Sequence, residues 1–185
     1  MFAIVIWDKN NKELFCARDF FGIKPFYYTN QKGQFIFASE IKAILEHPNY
    51  QKELNTEALE QYLCFQFSAL QETFFKDIFV LPQGHYMKVK NGKLSIKQYW
   101  RPKFEQDKSL SHEQWVNKID EAMHESVKYH NIADVEVGSL LSSGIDSSYN
   151  AALLHEINPK IKTFTVGFEA YKNSGSEKGE RNEIA

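Results

Sequence analysis

The sequence predicts an α+β block followed by the opening of an α/β domain. Three observations carry that prediction: short strands alternate with hairpin turns over residues 2–98, a polar connector occupies 99–110, and a strand, helix and strand follow it.

Phe2, Ala3, Ile4, Val5, Ile6 and Trp7 form a nearly continuous apolar run, the pattern of a strand buried on both faces. The polar turn at 8–12 leads into Leu14, Phe15, Cys16 and Ala17, which completes a hairpin. Phe26, Tyr27, Tyr28 and Thr29 pair with Phe35, Ile36, Phe37 and Ala38 across Lys32-Gly33, because aromatic side chains suit a pleated surface and glycine supplies the turn. A third hairpin is predicted where the alternating residues 85–90 meet Asn91-Gly92 and then Leu94, Ser95, Ile96 and Lys97. Helical spacing of Ile41, Ile44 and Leu45 after Ser39, and of Ala58, Leu59, Tyr62 and Leu63 after Asn55-Thr56, predicts two helices with a capping residue at each start.

Beyond the connector, Ser111 and Gln114 have capping-box spacing, and Trp115, Val116, Ile119, Ala122, Met123 and Val127 trace one apolar face. A strand over 135–141, a helix over 149–157 and a strand over 161–166 then predict a βαβ unit with a parallel sheet. One such unit buries too little surface to stand alone, and residues 170–185 are too polar to add core. The α/β domain is therefore expected to be incomplete, and Met1 running straight into a core strand raises the same expectation for the start.

Lys and Arg number 22 against 24 Asp and Glu, a net charge of −2, which argues against a nucleic-acid or membrane-surface partner recognised by bulk charge. No apolar run approaches the roughly 18 residues of a membrane span and no signal pattern opens the chain, so a cytoplasmic location is expected. Cys16 and Cys64 cannot build a disulfide framework and are expected to be buried thiols. The six histidines show no metal-ligand spacing.

The segment that carries chemistry is Leu140-Leu141-Ser142-Ser143-Gly144-Ile145-Asp146-Ser147-Ser148, at the end of a predicted strand and the start of a helix. In parallel sheets ligands bind outside the carboxyl ends of strands, and a helix N-terminus presents amide donors that suit phosphate. Small residues admit a phosphate to the backbone, serine hydroxyls add donors, and Asp146 is placed either to hold Mg²⁺ or to fix the loop. No Gly-Lys-Ser/Thr ending is present, so this is not a Walker A loop. The loop by itself leaves two readings: a pyrophosphate cradle, or a turn in which Asp146, Ser147 or Ser148 caps the helix.

Residues 142–147 resemble the Ser-Gly-Gly-x-Asp-Ser PP-loop of the ATP pyrophosphatases, with Ser143 in place of the first glycine. Met1-Phe2-Ala3, Arg18-Asp19-Phe20-Phe21-Gly22-Ile23-Lys24-Pro25-Phe26-Tyr27-Tyr28, Phe37-Ala38-Ser39-Glu40-Ile41-Lys42-Ala43 and Leu81-Pro82-Gln83-Gly84-His85 resemble, in order, landmarks of glutamine-hydrolysing asparagine synthetases. That resemblance implies an α+β fold, a partial four-layer Ntn-type glutaminase sandwich, followed by the start of an α/β PP-loop ATP pyrophosphatase domain. Residues 1–100 would be the C-terminal part of a class II glutamine amidotransferase domain, 101–110 a linker and 111–185 the N-terminal part of the synthetase domain.

The family hydrolyses glutamine at an N-terminal cysteine, adenylates the aspartate side chain with ATP, and lets ammonia displace AMP to give asparagine. The resemblance implies ATP and Mg²⁺ as cofactors, and ATP, aspartate and glutamine or ammonia as small-molecule substrates. It implies no nucleic-acid or membrane partner, and it leaves open a homodimer of the intact enzyme. Carried over residue by residue, Ser142, Gly144, Asp146 and Ser147 would contact the ATP pyrophosphate and its Mg²⁺, with Asp146 as the metal contact, Ser143 sharing the loop, and Leu141 and Val166 flanking adenosine. By itself, Val166 reads equally as strand core. Serine at position 143 costs on the order of 1 kcal/mol only where a positive φ is required there.

No catalytic residue is expected. The family's nucleophile is the second residue of the complete enzyme, whereas position 2 here is Phe2 in a strand, and the glutamine-binding segments precede that strand in the family. Neither Cys16 nor Cys64 replaces it, since each lies within a predicted element away from an activating base. Arg18, Asp19, Lys24 and Glu40 are read as braces of turns in preference to substrate contacts. Two alternatives stand beside the asparagine synthetase reading: a β-lactam synthetase-like relative acting on another carboxylate, and an inert remnant.

Overall fold

The structure is a computed structural model that describes residues 1–67 and 70–167, so the polar segment 170–185 lies outside the described residues. The chain divides into two units, Met1–Phe104 and Glu105–Ala185.

Every strand pair of the first unit is antiparallel. One sheet has the order β1-β2-β6-β7, from Ala3–Asp8, Glu13–Arg18, His85–Lys90 and Lys93–Gln98; the other has the order β4-β3-β5, from Gln34–Ala38, Tyr27–Gln31 and Phe79–Val80. The predicted hairpins form because their turns accept left-handed backbone: Lys32 and Gly33 have φ of 49° and 75°, and Asn91 and Gly92 have 50° and 73°. Cys16 and Met87 of the first sheet and Tyr28 of the second join Phe26 and Leu81 in one buried cluster, so the sheets face each other across it. On the far side of the second sheet, helix α1 (Ile41–Leu45) places Ile44 in a cluster with Tyr50 and Ile78. The first unit thus layers sheet, sheet and helix.

Three expectations need correction here. Strand β1 is not buried on both faces: among the described residues it pairs with β2 alone, and Ile6 and Trp7, on opposite faces, are each 54% exposed. Ser39 does not cap α1, because Glu40 takes the cap position without a side-chain cap bond and pairs with Lys42. Cys64 is exposed whereas Cys16 is buried. Helix α2 (Thr56–Phe65), which Asn55 caps by accepting from Ala58 N at 3.3 Å, buries Ala58 and leaves Leu59, Tyr62, Leu63 and Phe65 exposed.

In the second unit α3 spans His112–His130 behind the expected capping box, with Ser111 N donating to Gln114 Oε1 at 2.8 Å and Gln114 N to Ser111 Oγ at 3.3 Å. Val127 of its apolar face is buried, while Val116 and Ile119 are exposed. Strands β8 (Gly138–Leu140) and β9 (Lys162–Phe164) pair in parallel around α4 (Ile145–Ile157), a βαβ order. Both strands are shorter than the sequence pattern, since each keeps only three paired residues. Helix α4 starts four residues earlier than expected, because Ser148 N already donates to Gly144 O at 3.0 Å. Among the described residues no helix is long and apolar enough to cross a membrane.

Candidate functional site

Parallel pairing of β8 and β9 puts the carboxyl ends of both strands side by side. Leu141 N donates to Phe164 O at 2.9 Å, and Thr165 Oγ1 donates to Leu141 O at 2.8 Å, so both backbone groups of Leu141 are tied to the neighbouring strand end. Gly138 permits this approach, since a Cβ there would lie 2.7 Å from Phe164 Cε2. Thr165 was not singled out by the sequence; a hydroxyl residue just past a strand end is the signal that could have found it.

After Leu141 the chain turns on two serines. Ser142 N donates to Ser147 Oγ at 3.2 Å, Ser147 Oγ donates to Gly144 O at 3.0 Å, and the two hydroxyl oxygens stand 3.1 Å apart. Ser147 therefore folds the loop back on itself and does not cap the helix. Gly144 is the cap residue and no side-chain cap bond is made, so neither Asp146 nor Ser148 serves the purpose either. The first-turn amides of α4 carry the partial positive charge of a helix start without a side-chain cap to neutralise it.

Ser143 has φ +61°, the left-handed region that favours glycine. It stands where the PP-loop pattern has glycine, and a serine held there carries about 1 kcal/mol of backbone strain. Gly144, in contrast, has an ordinary φ of −73°, and a Cβ would meet Ser142 Oγ at 3.6 Å and Ser147 Oγ at 3.8 Å, normal contacts. Packing inside the loop does not demand glycine at 144; its effect is to leave the space beside the helix start open.

Asp146 is exposed in the first turn of α4. Among the described residues no group of three or more His, Cys, Asp or Glu is arranged to hold a metal. Val166 lies beyond the end of β9 and is 83% exposed, which removes the strand-core reading, and Leu141 is half-buried at the same end of the two-stranded sheet. The structure thus brings Ser142, Gly144 and Ser147 into mutual contact and sets Leu141 beside Thr165, one residue from Val166.

The charged residues of 18–25 do different work. Asp19, 3% exposed, accepts from the backbone N–H of Phe2 at 3.3 Å, Phe21 at 3.2 Å, Ile23 at 3.0 Å and Lys24 at 2.9 Å. Burial pushes its carboxyl up, but these donors outweigh burial and hold it down to about 2. Arg18 donates to the carbonyls of Lys24 at 2.8 Å, Leu81 at 2.8 Å and Gly22 at 2.6 Å. Both side chains are consumed by backbone, the bracing role read from the sequence. Burial also pushes the Cys16 thiol up to about 11, which makes it a poor nucleophile.

A glutamine amidotransferase domain model matches residues 1–100, and an asparagine synthase model matches residues 118–185. Asparagine synthetase [glutamine-hydrolyzing] 1 of Bacillus subtilis is 39% identical over 170 residues, covering 91% of this chain and 27% of the relative. A putative asparagine synthetase [glutamine-hydrolyzing] of Mycobacterium tuberculosis is 36% identical over 176 residues, with 91% and 27% covered. Amidase chyE of Penicillium rubens is 33% identical over 196 residues, with 95% and 28% covered. The chain spans about a quarter of the length of these relatives. With the glutamine amidotransferase domain model matched over more than half of its residues, the chain belongs to that family, and its later part matches the asparagine synthase model.

Proposed function

We propose that this chain joins the later part of a class II glutaminase domain, of the four-layer Ntn type, to the start of a PP-loop domain that adenylates aspartate with ATP and amidates it with ammonia drawn from glutamine. The observation that carries the reading is the loop at 141–147, a helix start without a side-chain cap beside two hydroxyls, with no side chain at Gly144. That donor set suits a pyrophosphate: the first-turn amides of α4 have no side-chain cap, and the loop hydroxyls, which bond each other and the Gly144 carbonyl, can turn to an anion in their place. Ser142, Ser143, Gly144 and Ser147 hold the pyrophosphate portion of ATP in this reading. Leu141 and Val166, at the same sheet end, flank adenosine. Asp146 contacts Mg²⁺, a single carboxylate being enough when phosphate oxygens supply other ligands. Bound Mg²⁺ would neutralise phosphate charge and thereby assist departure of pyrophosphate.

The test is incubation of the protein, expressed from its full reading frame, with aspartate, glutamine, ATP and Mg²⁺. Asparagine formed one for one with AMP and pyrophosphate is the expected result. AMP formed only with a different carboxylate, or ATP consumed without AMP, overturns the reading.

A further inference from the structure

Helices α3 and α4 of the second unit are joined by a polar clasp that the nucleotide reading does not use. On α3, Asp120 and His124 are one turn apart on one face; on α4, Tyr149 and Glu156 are two turns apart on one face. The Tyr149 hydroxyl donates to Asp120 Oδ1. Nδ1 of His124 lies 2.9 Å from the Asp120 carbonyl oxygen and 3.4 Å from Asp120 Oδ2, and Nε2 lies 3.2 Å from Glu156 Oε2. Each ring nitrogen therefore faces an acceptor, an arrangement that a neutral imidazole, with one N–H, satisfies only by half. Tyr149 sits four residues after Ile145, in the turn that follows the loop serines, so the clasp grips α4 near its start.

We propose that Tyr149, Asp120, His124 and Glu156 form a positioning network that sets the N-terminal turn of α4, and with it the loop at 142–147, and that the protonated state of His124 tightens the grip. Its role in nucleotide binding rests on the function proposed above; its role in ordering the loop does not. The groups acting on His124 are Asp120 on its own helix and Glu156 on α4, both acidic, and the Asp120 backbone bond first, then these neighbours, raise its affinity for a proton. A raised value in the fold means that the grip is complete below the ordinary histidine value of 6.5 and is lost as pH rises through the higher folded value.

The test uses the full chain and the variants Y149F, D120N and H124Q, with hydrogen exchange of amides 148–152, the first hydrogen-bonded turn of α4, read across pH after division by the intrinsic rate. Loss of one charge-assisted bond predicts about fivefold faster exchange at those amides in Y149F and D120N, with strands β1 to β7 unchanged. The wild-type protection should fall as pH rises above 6.5, and in H124Q that pH dependence should vanish. Mg-ATP affinity, measured alongside, should weaken about threefold in Y149F and D120N. Unchanged exchange at 148–152 in all three variants overturns the positioning network, and so does a pH profile shared by wild type and H124Q. The expected exchange pattern in a chain that binds no Mg-ATP supports the network and rejects the nucleotide reading instead.

Discussion

Two turns in this molecule each cluster polar groups at the end of a strand and differ in what they leave over. Residues 18–25 and 141–148 both follow a strand, and each contains a residue with positive φ, Gly22 at 66° and Ser143 at 61°. In the first, an aspartate and an arginine are spent on seven backbone partners between them, and Gly22 is required because a Cβ would stand 3.0 Å from Arg18 Cζ. In the second, the serines hold the loop together while the helix start next to them has no side-chain cap. A dense polar motif is therefore not itself a sign of binding. Donors aimed at the chain's own backbone make a brace, and helix-start amides with no side-chain cap make a candidate site.

Breaking the brace should have the largest effect. Asp19→Ala leaves four partly buried N–H groups without their shared buried acceptor and should destabilise the first unit by about 3 kcal/mol, read as a lower denaturant midpoint. The acid limb sharpens the same point. Because the folded carboxyl is held down to about 2 from an ordinary 3.8, its contribution is present above pH 3.8 and is lost as pH falls through 2. Asp19→Asn should lack that transition in an acid titration.

Next comes Gly84→Ala. With φ +64° and a Cβ 2.4 Å from the Trp100 carbonyl oxygen, the variant must shift the segment where Tyr99 N and Trp100 N donate to Gly84 O, and a loss of about 2 kcal/mol in thermal unfolding is expected. The loop should respond in the opposite sense: Ser143→Gly relieves left-handed strain and should raise stability by about 0.5 kcal/mol, visible as a higher melting midpoint of the second unit. Smallest in energy, native-state alkylation at pH 8 should mark exposed Cys64 and spare Cys16, whose thiol burial pushes up to about 11.

Local chemistry is what the sequence exposes well. The three hairpins, the cap at Asn55, the capping box at Ser111 and the parallel βαβ unit all follow from patterns a few residues long, since turn geometry and cap bonds depend on near neighbours. The candidate loop was legible for the same reason. Its conformation was not: the left-handed φ of Ser143, the contact of Ser142 with Ser147, and the tie from Thr165 to Leu141 depend on how β9 returns alongside β8.

Burial, by contrast, was decided by tertiary structure alone. Val5 and Trp7 read as core in the sequence, yet β1 is an edge strand and both are exposed; Cys16 and Cys64 read as equivalent thiols, yet only Cys16 lies between the sheets. An apolar pattern states that a face is suited to being covered, and covering it takes a second element that arrives from elsewhere in the chain. The same holds for Asp19. Its charge and position are plain in the sequence, but whether a carboxylate braces a turn or awaits a ligand depends on which amides the fold brings within hydrogen-bonding distance.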